Sequence, residues 1–415
     1  MKLRWLLPAV LLVAQAAERD PALVLQRAAI KVRVRAAALP NYTCVETVTR
    51  DYYRPRTVVQ APSCAGAIAG LAGGRGPDMR FTMTDRLRLD VAMTERGEIY
   101  SWAGASKFED SDVGALVHRG PIGSGSFGAV LAILFAQDAG KFHFERMAGS
   151  LMEYSYLVPP EDSRYKVRTS DSWVNTAYSG TVQLDPETAE VVRVTLQTAE
   201  LPPSTGSCQT TTTMEFAPVR IGDSEFPLPK RGEQRFIGAI GEEVENTTAF
   251  GSCREYRGES TIRFGADAAA ETVERDGSAA GVAEVPAGLS FSFELRTPIA
   301  ADTAAGGDAF AGRLAGPLRD RLGRVLAPAH AVVEGRLLRV ENRHTAPPGS
   351  VLVLRLRTVQ IGGVKVPLVA DRVVRVAKGE RVEPPFSWES HAGLFRLAGE
   401  HGVMKAGTRS EWVTR

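Results

Sequence analysis

The chain has 415 residues, 44% of them hydrophobic, and a formal charge of +2 that falls to about zero once Lys2 and Arg4 are set aside. That balance excludes the chain-wide basic field on which binding to nucleic acid or to an anionic membrane surface depends. The 40 glycines and 24 prolines are spread along the chain as punctuation for many short strands, and at about 150 residues per domain the length points to two or three domains.

The first sixteen residues, MKLRWLLPAVLLVAQA, carry two basic residues, an apolar run and then Ala14-Gln15-Ala16. This is the pattern of an export signal, residues 1–16, with the small residues that a signal peptidase needs. The apolar run is too short to span a bilayer, and no cysteine follows it to take a lipid. The expectation is an exported, soluble product beginning near Ala17, periplasmic or secreted, with no transmembrane span after signal removal. FGAVLAILFA at 127–136, the strongest later apolar run, is about half of a membrane span and reads as a buried helix or plug.

Asp20-Pro21 opens a helix that Pro40 ends. NYTCVETVTRDYYRP, rich in Thr, Val and Tyr, favours a long strand, and the Gly- and Ala-rich stretch 62–77 reads as a loop. In FTMTDRLRLDVAM, the residues Phe81, Met83, Leu87, Leu89 and Val91 alternate with polar neighbours, which gives a sheet one oily and one wet face. KFHFERM, LMEYSYLV, YSGTVQL, EVVRVTLQT, CQTTTTMEF and CREYRGESTIRF are further short strands, and Asp185-Pro186-Glu187-Thr188 is a hairpin turn between two of them. Residues 265–284 hold almost no large apolar side chain and read as a linker. Beyond it, LSFSFELR alternates cleanly, VLVLRLRTVQIGGVKVPLV does so around a Gly362-Gly363 hairpin signal, and SEWVTR makes a last strand. The predicted architecture is mostly β: a curved antiparallel sheet, or half-barrel, with a few helices over 17–264, and a smaller β-barrel-like domain over 285–415.

Cys44, Cys64, Cys208 and Cys253 show no zinc-type spacing, so they predict two disulfides in an oxidising compartment. Four cysteines allow three pairings and the sequence does not choose among them. Cys44 with Cys64 and Cys208 with Cys253 is the favoured pairing, because each pair brackets strand-like segments that can lie side by side.

Motifs for chemistry are weak. GSGSFGAV at 123–130 fits a glycine-rich phosphate loop of the kinase kind, but the chain contains no His-Arg-Asp and no Asp-Phe-Gly, so a loop feeding the apolar helix is the better reading. Glu109-Asp110-Ser111-Asp112 fails as a calcium loop, because the closing glutamate position, counted from Asp110, falls on Pro121. The six histidines form neither H-x-x-x-H nor H-E-x-x-H, and there is no G-x-S-x-G. Arg313, Arg319, Arg321 and Arg324 suit a solvated surface. No catalytic set, metal site or cofactor is predicted.

The N-terminal helix, the run of strands and the strand-turn-strand VQLDPETAEVVRVTLQ resemble the lipoprotein-carrier (LolA-like) superfamily over roughly 17–264. That resemblance implies an incomplete barrel wrapped around helices and holding lipid acyl chains, or serving as a sensor module. From Val285 onward, the turns Pro286-Ala287-Gly288 and Pro328-Ala329-His330 resemble TrbI-type exported β-barrel modules, with His330 where a glycine is usual. The whole chain also resembles uncharacterised exported proteins of acidobacterial type.

The resulting expectation is a non-enzymatic binding protein of the cell envelope. A lipid or lipidated ligand would lie on an apolar wall of Phe81, Met83, Leu87, Leu89, Phe142, Phe144, Tyr154 and Tyr156, and the C-terminal domain would dock on an envelope protein partner. A closed, filled core is the competing reading of the same residues. The alternatives are a structural or assembly protein without a ligand cavity, and an exported hydrolase whose site is dispersed along the chain.

Overall fold

The computed structural model describes residues 19–39, 41–57, 63–94, 97–105, 108, 113–123, 129–138, 140–170, 172–255, 284–374 and 386–415. The expected export signal, the acidic run 109–112, the centre of the glycine-rich loop at 124–128 and all but the last residue of the expected linker lie outside the described residues. The fold is mostly antiparallel β-structure with few helices, and the chain forms two units, Met1–Thr84 with Leu89–Tyr256, and Asp85–Arg88 with Arg257–Arg415. Among the described residues no helix is long and apolar enough to cross a membrane.

The first unit opens on helix α1 (Pro21–Ala38). Asp20 caps it by accepting the backbone N–H groups of Ala22 at 2.9 Å and Leu23 at 3.3 Å, and Leu39 turns extended, as the residue before a proline must. Strand β1 (Tyr42–Pro55) follows, then α2 (Cys64–Leu71), β2 (Met79–Thr94), β3 (Gly97–Trp102), α3 (Val113–Leu116) and α4 (Ala129–Ala132), which runs on into a π-helical turn at Ile133–Gln137. After these come β4 (Lys141–Ala148), β5 (Leu151–Val158), the small hairpin β6 (Lys166–Arg168) and β7 (Trp173–Asn175), and then β8 (Tyr178–Leu184) and β9 (Val191–Thr198). The unit ends on β10 (Gln209–Ile221), β11 (Ser224–Ile237) and β12 (Glu243–Glu255).

Ten of these strands pair in the order β3-β2-β1-β12-β11-β10-β9-β8-β5-β4. It is a meander with two departures: β12 returns to β1, and the β6–β7 hairpin is looped out between β5 and β8. The Asp185 turn joins β8 to β9 as expected, with Asp185 Oδ1 accepting the N–H groups of Glu187 at 2.9 Å and Thr188 at 2.8 Å. These bonds, led by that from Thr188, hold the Asp185 carboxyl below its ordinary range.

Two elements differ from the sequence reading. The stretch 62–77 holds α2 instead of a continuous loop: Ser63 Oγ accepts the Gly66 N–H at 3.2 Å, and alanines supply helix propensity that their lack of bulk conceals. Strand β11 went unseen because Pro227, Pro229 and Gly232 interrupt its pattern. The register shifts at Glu215/Phe216, where Phe216 faces Pro229, so the ladder passes the missing proline N–H through a bulge.

The bridges join Cys44 to Cys253 and Cys64 to Cys208, which corrects the favoured pairing. The cause is the return of β12. Thr43 pairs with Arg254 and Val45 with Gly251, so Cys44 comes to lie beside Cys253 with 4.1 Å between Cα atoms. Cys64, at the start of α2, is then held to Cys208, just ahead of β10.

The second unit is built on β13 (Ser290–Leu295), β15 (Ala309–Leu314), β18 (Val332–Arg343), β19 (Gly349–Ile361), β22 (Gly393–Ala398) and β24 (Arg409–Thr414), with β14 (Ile299–Ala300), β16 (Leu318–Arg319), β17 (Val325–Ala327), β20 (Val364–Pro367), β21 (Ala370–Arg372) and β23 (Val403–Met404) as shorter pieces. The pairings β21-β24-β13-β15-β18-β19-β22 run almost full circle. Between β21 and the start of β22, among the described residues, a single backbone bond remains, Arg372 N–H to the Ala392 carbonyl at 3.4 Å.

The alternation of LSFSFELR is realised: Leu289, Phe291, Phe293 and Leu295 are buried with Trp412, Leu352 and Leu354. Gly362 and Gly363, at φ 56° and 86°, make the hairpin turn between β19 and β20. His330 adopts φ 68°, close to the 82° of Gly288, so both Pro-Ala turns pass through the left-handed region despite the different residue.

Candidate functional site

Helix α1 covers the inward face of the first unit's sheet. Its stripe Val24, Ala28, Val32 and Ala36 recurs every fourth residue, which places all four on one side. Val24 and Ala28 are fully buried in a core with Leu134 and Phe135 of the π-turn and with Tyr154, Tyr156, Val182, Leu184, Val194 and Leu196 of the sheet. One turn further on, Val32 and Ala36 lie over a cavity of about 470 Å³. Leu39, Tyr42, Met93, Leu131, Ile133, Phe216, Phe226 and Leu228 supply most of its remaining wall. The volume is within the range of small-molecule sites.

Among the described residues, Arg35 is the one charged residue in this lining. It sits in the last turn of α1, where the helix dipole favours a cation, and pairs with Glu190, which Lys31 also holds at 2.9 Å. Arg35, Phe216, Phe226 and Pro227 also line a neighbouring cavity of about 200 Å³ that includes Glu190, so the ion pair stands where the two spaces adjoin. Deeper in, Tyr42, Cys44, Glu46, Val48 and Arg50 alternate inward along β1. Burial first, and the nearby Glu98 second, push the Glu46 carboxyl up to about 8 and raise the Tyr42 phenol. Both groups are therefore predominantly uncharged at neutral pH. The Tyr100 hydroxyl donates to Glu98 Oε2.

The eight residues proposed from sequence are dispersed. Phe142 stacks on Phe135 with centroids 5.2 Å apart and lies 5.7 Å from Tyr156, and Phe144 meets Tyr154 edge-on at 5.5 Å, so these four come together on β4 and β5. Leu134 and Phe135 fill the space behind the tyrosines. Phe81 stacks on Tyr53 at 5.2 Å and is exposed, while Met83 and Leu89 are buried. Leu87 falls in the second unit, where it bridges to Gly306. None of the eight lines the 470 Å³ cavity. The four-residue stripe on α1 was the sequence signal for Val32 and Ala36. Phe226 and Leu228 had none, because prolines flank them.

Among the described residues no cluster of three or more His, Cys, Asp or Glu is placed to hold a metal ion. His330, His391 and His401 occupy left-handed turn positions. The His401 ring accepts or donates one contact, Nδ1 to Asp302 Oδ2 at 2.7 Å, and this partner raises its basicity.

No protein-family model and no curated protein matches the chain. Among solved structures, it is similar to the crystal structure of a LolA superfamily protein from Nitrosomonas europaea, at 8% identity and a TM-score of 0.24, over 52% of this chain and 86% of that one.

Proposed function

We propose that the first unit is a binding module for an apolar or lipid-bearing ligand in an exported protein of the cell envelope, and that it works by burial without catalysis. The observation that carries this reading is the 470 Å³ cavity under the end of α1, with mainly apolar walls and one ion-paired cation. Removing apolar surface from water at about 25 cal/mol per Å² is sufficient drive for such a ligand. The cavity volume suits one acyl chain better than several. The second unit, in this reading, docks on an envelope protein.

The test is organic extraction of the purified full-length protein followed by mass spectrometry, with titration of a fluorescent single-chain fatty acid. A co-purifying lipid, or saturable uptake of the probe, is expected. No extracted lipid together with no uptake would defeat the proposal. That result would favour a structural or assembly role, a reading that the filled space behind Tyr154 and Tyr156 supports.

A further inference from the structure

Four strands of the first unit place polar side chains in one row on the inward face of the sheet. Arg50 on β1 stands opposite Asn246 on β12, Asn246 opposite Gln234 on β11, and Gln234 opposite Thr212 on β10. All are buried, at 2%, 0%, 5% and 4% exposure respectively. A face built only to pack would carry apolar side chains here.

Part of the row holds down the segment that crosses it. Arg50 Nη1 donates to the Arg119 carbonyl at 2.6 Å, and Asn246 Nδ2 to the Pro121 carbonyl at 3.0 Å. Gly123 ends this segment, and a Cβ there would stand 2.4 Å from Gln234 Nε2. The first glycine of the GSGSFG motif thus lets the backbone lie against the Gln234 amide, which a side chain there would displace.

The Gln234 side-chain amide, and the hydroxyl of Thr210 at 6% exposure one step along β10, make no hydrogen bond among the described residues; the Thr210 backbone N–H donates to Thr198 Oγ1 at 3.1 Å. Both line a cavity of about 190 Å³. Its inner wall adds Phe236 and Tyr165, and its rim adds Lys166, Arg168 and the half-exposed Trp173 from the β6–β7 hairpin. Among the described residues, the lining holds two cations and no carboxylate. Lys166 makes no ion pair among the described residues.

We infer that this cleft is a second binding site, separate from the apolar cavity, for one acidic sugar residue. The carboxylate meets Lys166 and Arg168, the hydroxyls meet the Gln234 amide and the Thr210 hydroxyl, and the C–H face of the ring lies on Trp173. An amide both donates and accepts, as a hydroxyl does, so Gln234 suits a polyol. The unpaired buried groups supply the discrimination, because a ligand that lacks hydroxyls leaves them unsatisfied.

Isothermal titration of the full chain with sodium D-glucuronate, D-glucose and N-acetyl-L-alanine tests the assignment. Glucuronate is expected to bind with a dissociation constant of about 1 mM or tighter, more weakly as salt rises, and at least about tenfold more tightly than glucose or N-acetyl-L-alanine. Gln234→Leu should weaken it about tenfold or more. Lys166→Ala, an exposed change that leaves the core intact, should weaken it severalfold, and neither change should alter fatty-acid uptake. Absence of glucuronate binding, equal binding of glucose, or tighter binding of N-acetyl-L-alanine, which would make the cleft a peptide-terminus site, each overturns the proposal.

Discussion

Cys44 and Cys253 are bonded across the neighbouring strands β1 and β12 although 209 positions separate them, and the second bridge, Cys64–Cys208, spans 144 positions inside the first. With one bridge intact, the other closes a path of only about 65 residues, for which the chain-entropy relation gives about 4 kcal/mol. Replacing Cys64 and Cys208 by alanine should therefore lower unfolding stability by about 4 kcal/mol in urea titrations. Removing both bridges should cost more than twice that amount, because the last one lost closes the longer loop.

Ala36 stands over the apolar cavity. Ala36→Phe should fill part of that space and reduce fatty-acid uptake by tenfold or more, measured by probe fluorescence, while the helix and its packing at Val24 and Ala28 persist. Unchanged uptake in a folded variant would place the ligand elsewhere.

Glu46 gives the stability a pH dependence of defined sign. Its carboxyl titrates at about 8 in the folded protein against 4.5 ordinarily, so between these values the folded state holds a proton that the unfolded state has released. Stability contributed by the protonated group is present below about pH 4.5 and is lost as pH rises towards 8, with a limiting slope of about 1.4 kcal/mol per pH unit. Glu46→Gln should flatten that decline, and should be the more stable protein at pH 8 when both are unfolded in urea.

In the second unit, Arg339, Glu341 and Glu389 are buried together. Arg339 donates to Glu341 Oε1 at 3.1 Å and to Glu389 Oε2 at 3.2 Å, and Arg343 reaches Glu341 Oε2 at 3.3 Å. Glu389→Ala removes one carboxylate and leaves buried positive charge undercompensated, so a loss of about 3–5 kcal/mol is expected in denaturant melts.

Legibility in the sequence followed how cleanly each strand divides core from solvent. LSFSFELR was readable because one set of alternate residues enters the core. In β2 the alternation blurs because Thr84, Asp85 and Ala92 are buried alongside Met83, Leu87, Leu89 and Val91. The row Arg50, Asn246, Gln234 and Thr212 was invisible, since polar residues on an inward face mimic the solvent side of a strand. The disulfide pairing depended on β12 joining β1, a long-range choice that local pattern does not encode.

The meander of the first unit stops at β4, whose only partner among the described residues is β5. Its outer rim is a row of backbone donors and acceptors beside the exposed Phe144 and Met147, the kind of template on which another chain can add a strand. Lys141 and Glu145 stand charged and exposed along the strand, and Arg146 is paired with Glu153 at 3.0 Å. Resistance to aggregation at this border therefore rests on the cost of stripping water from Lys141 and Glu145 when another strand approaches.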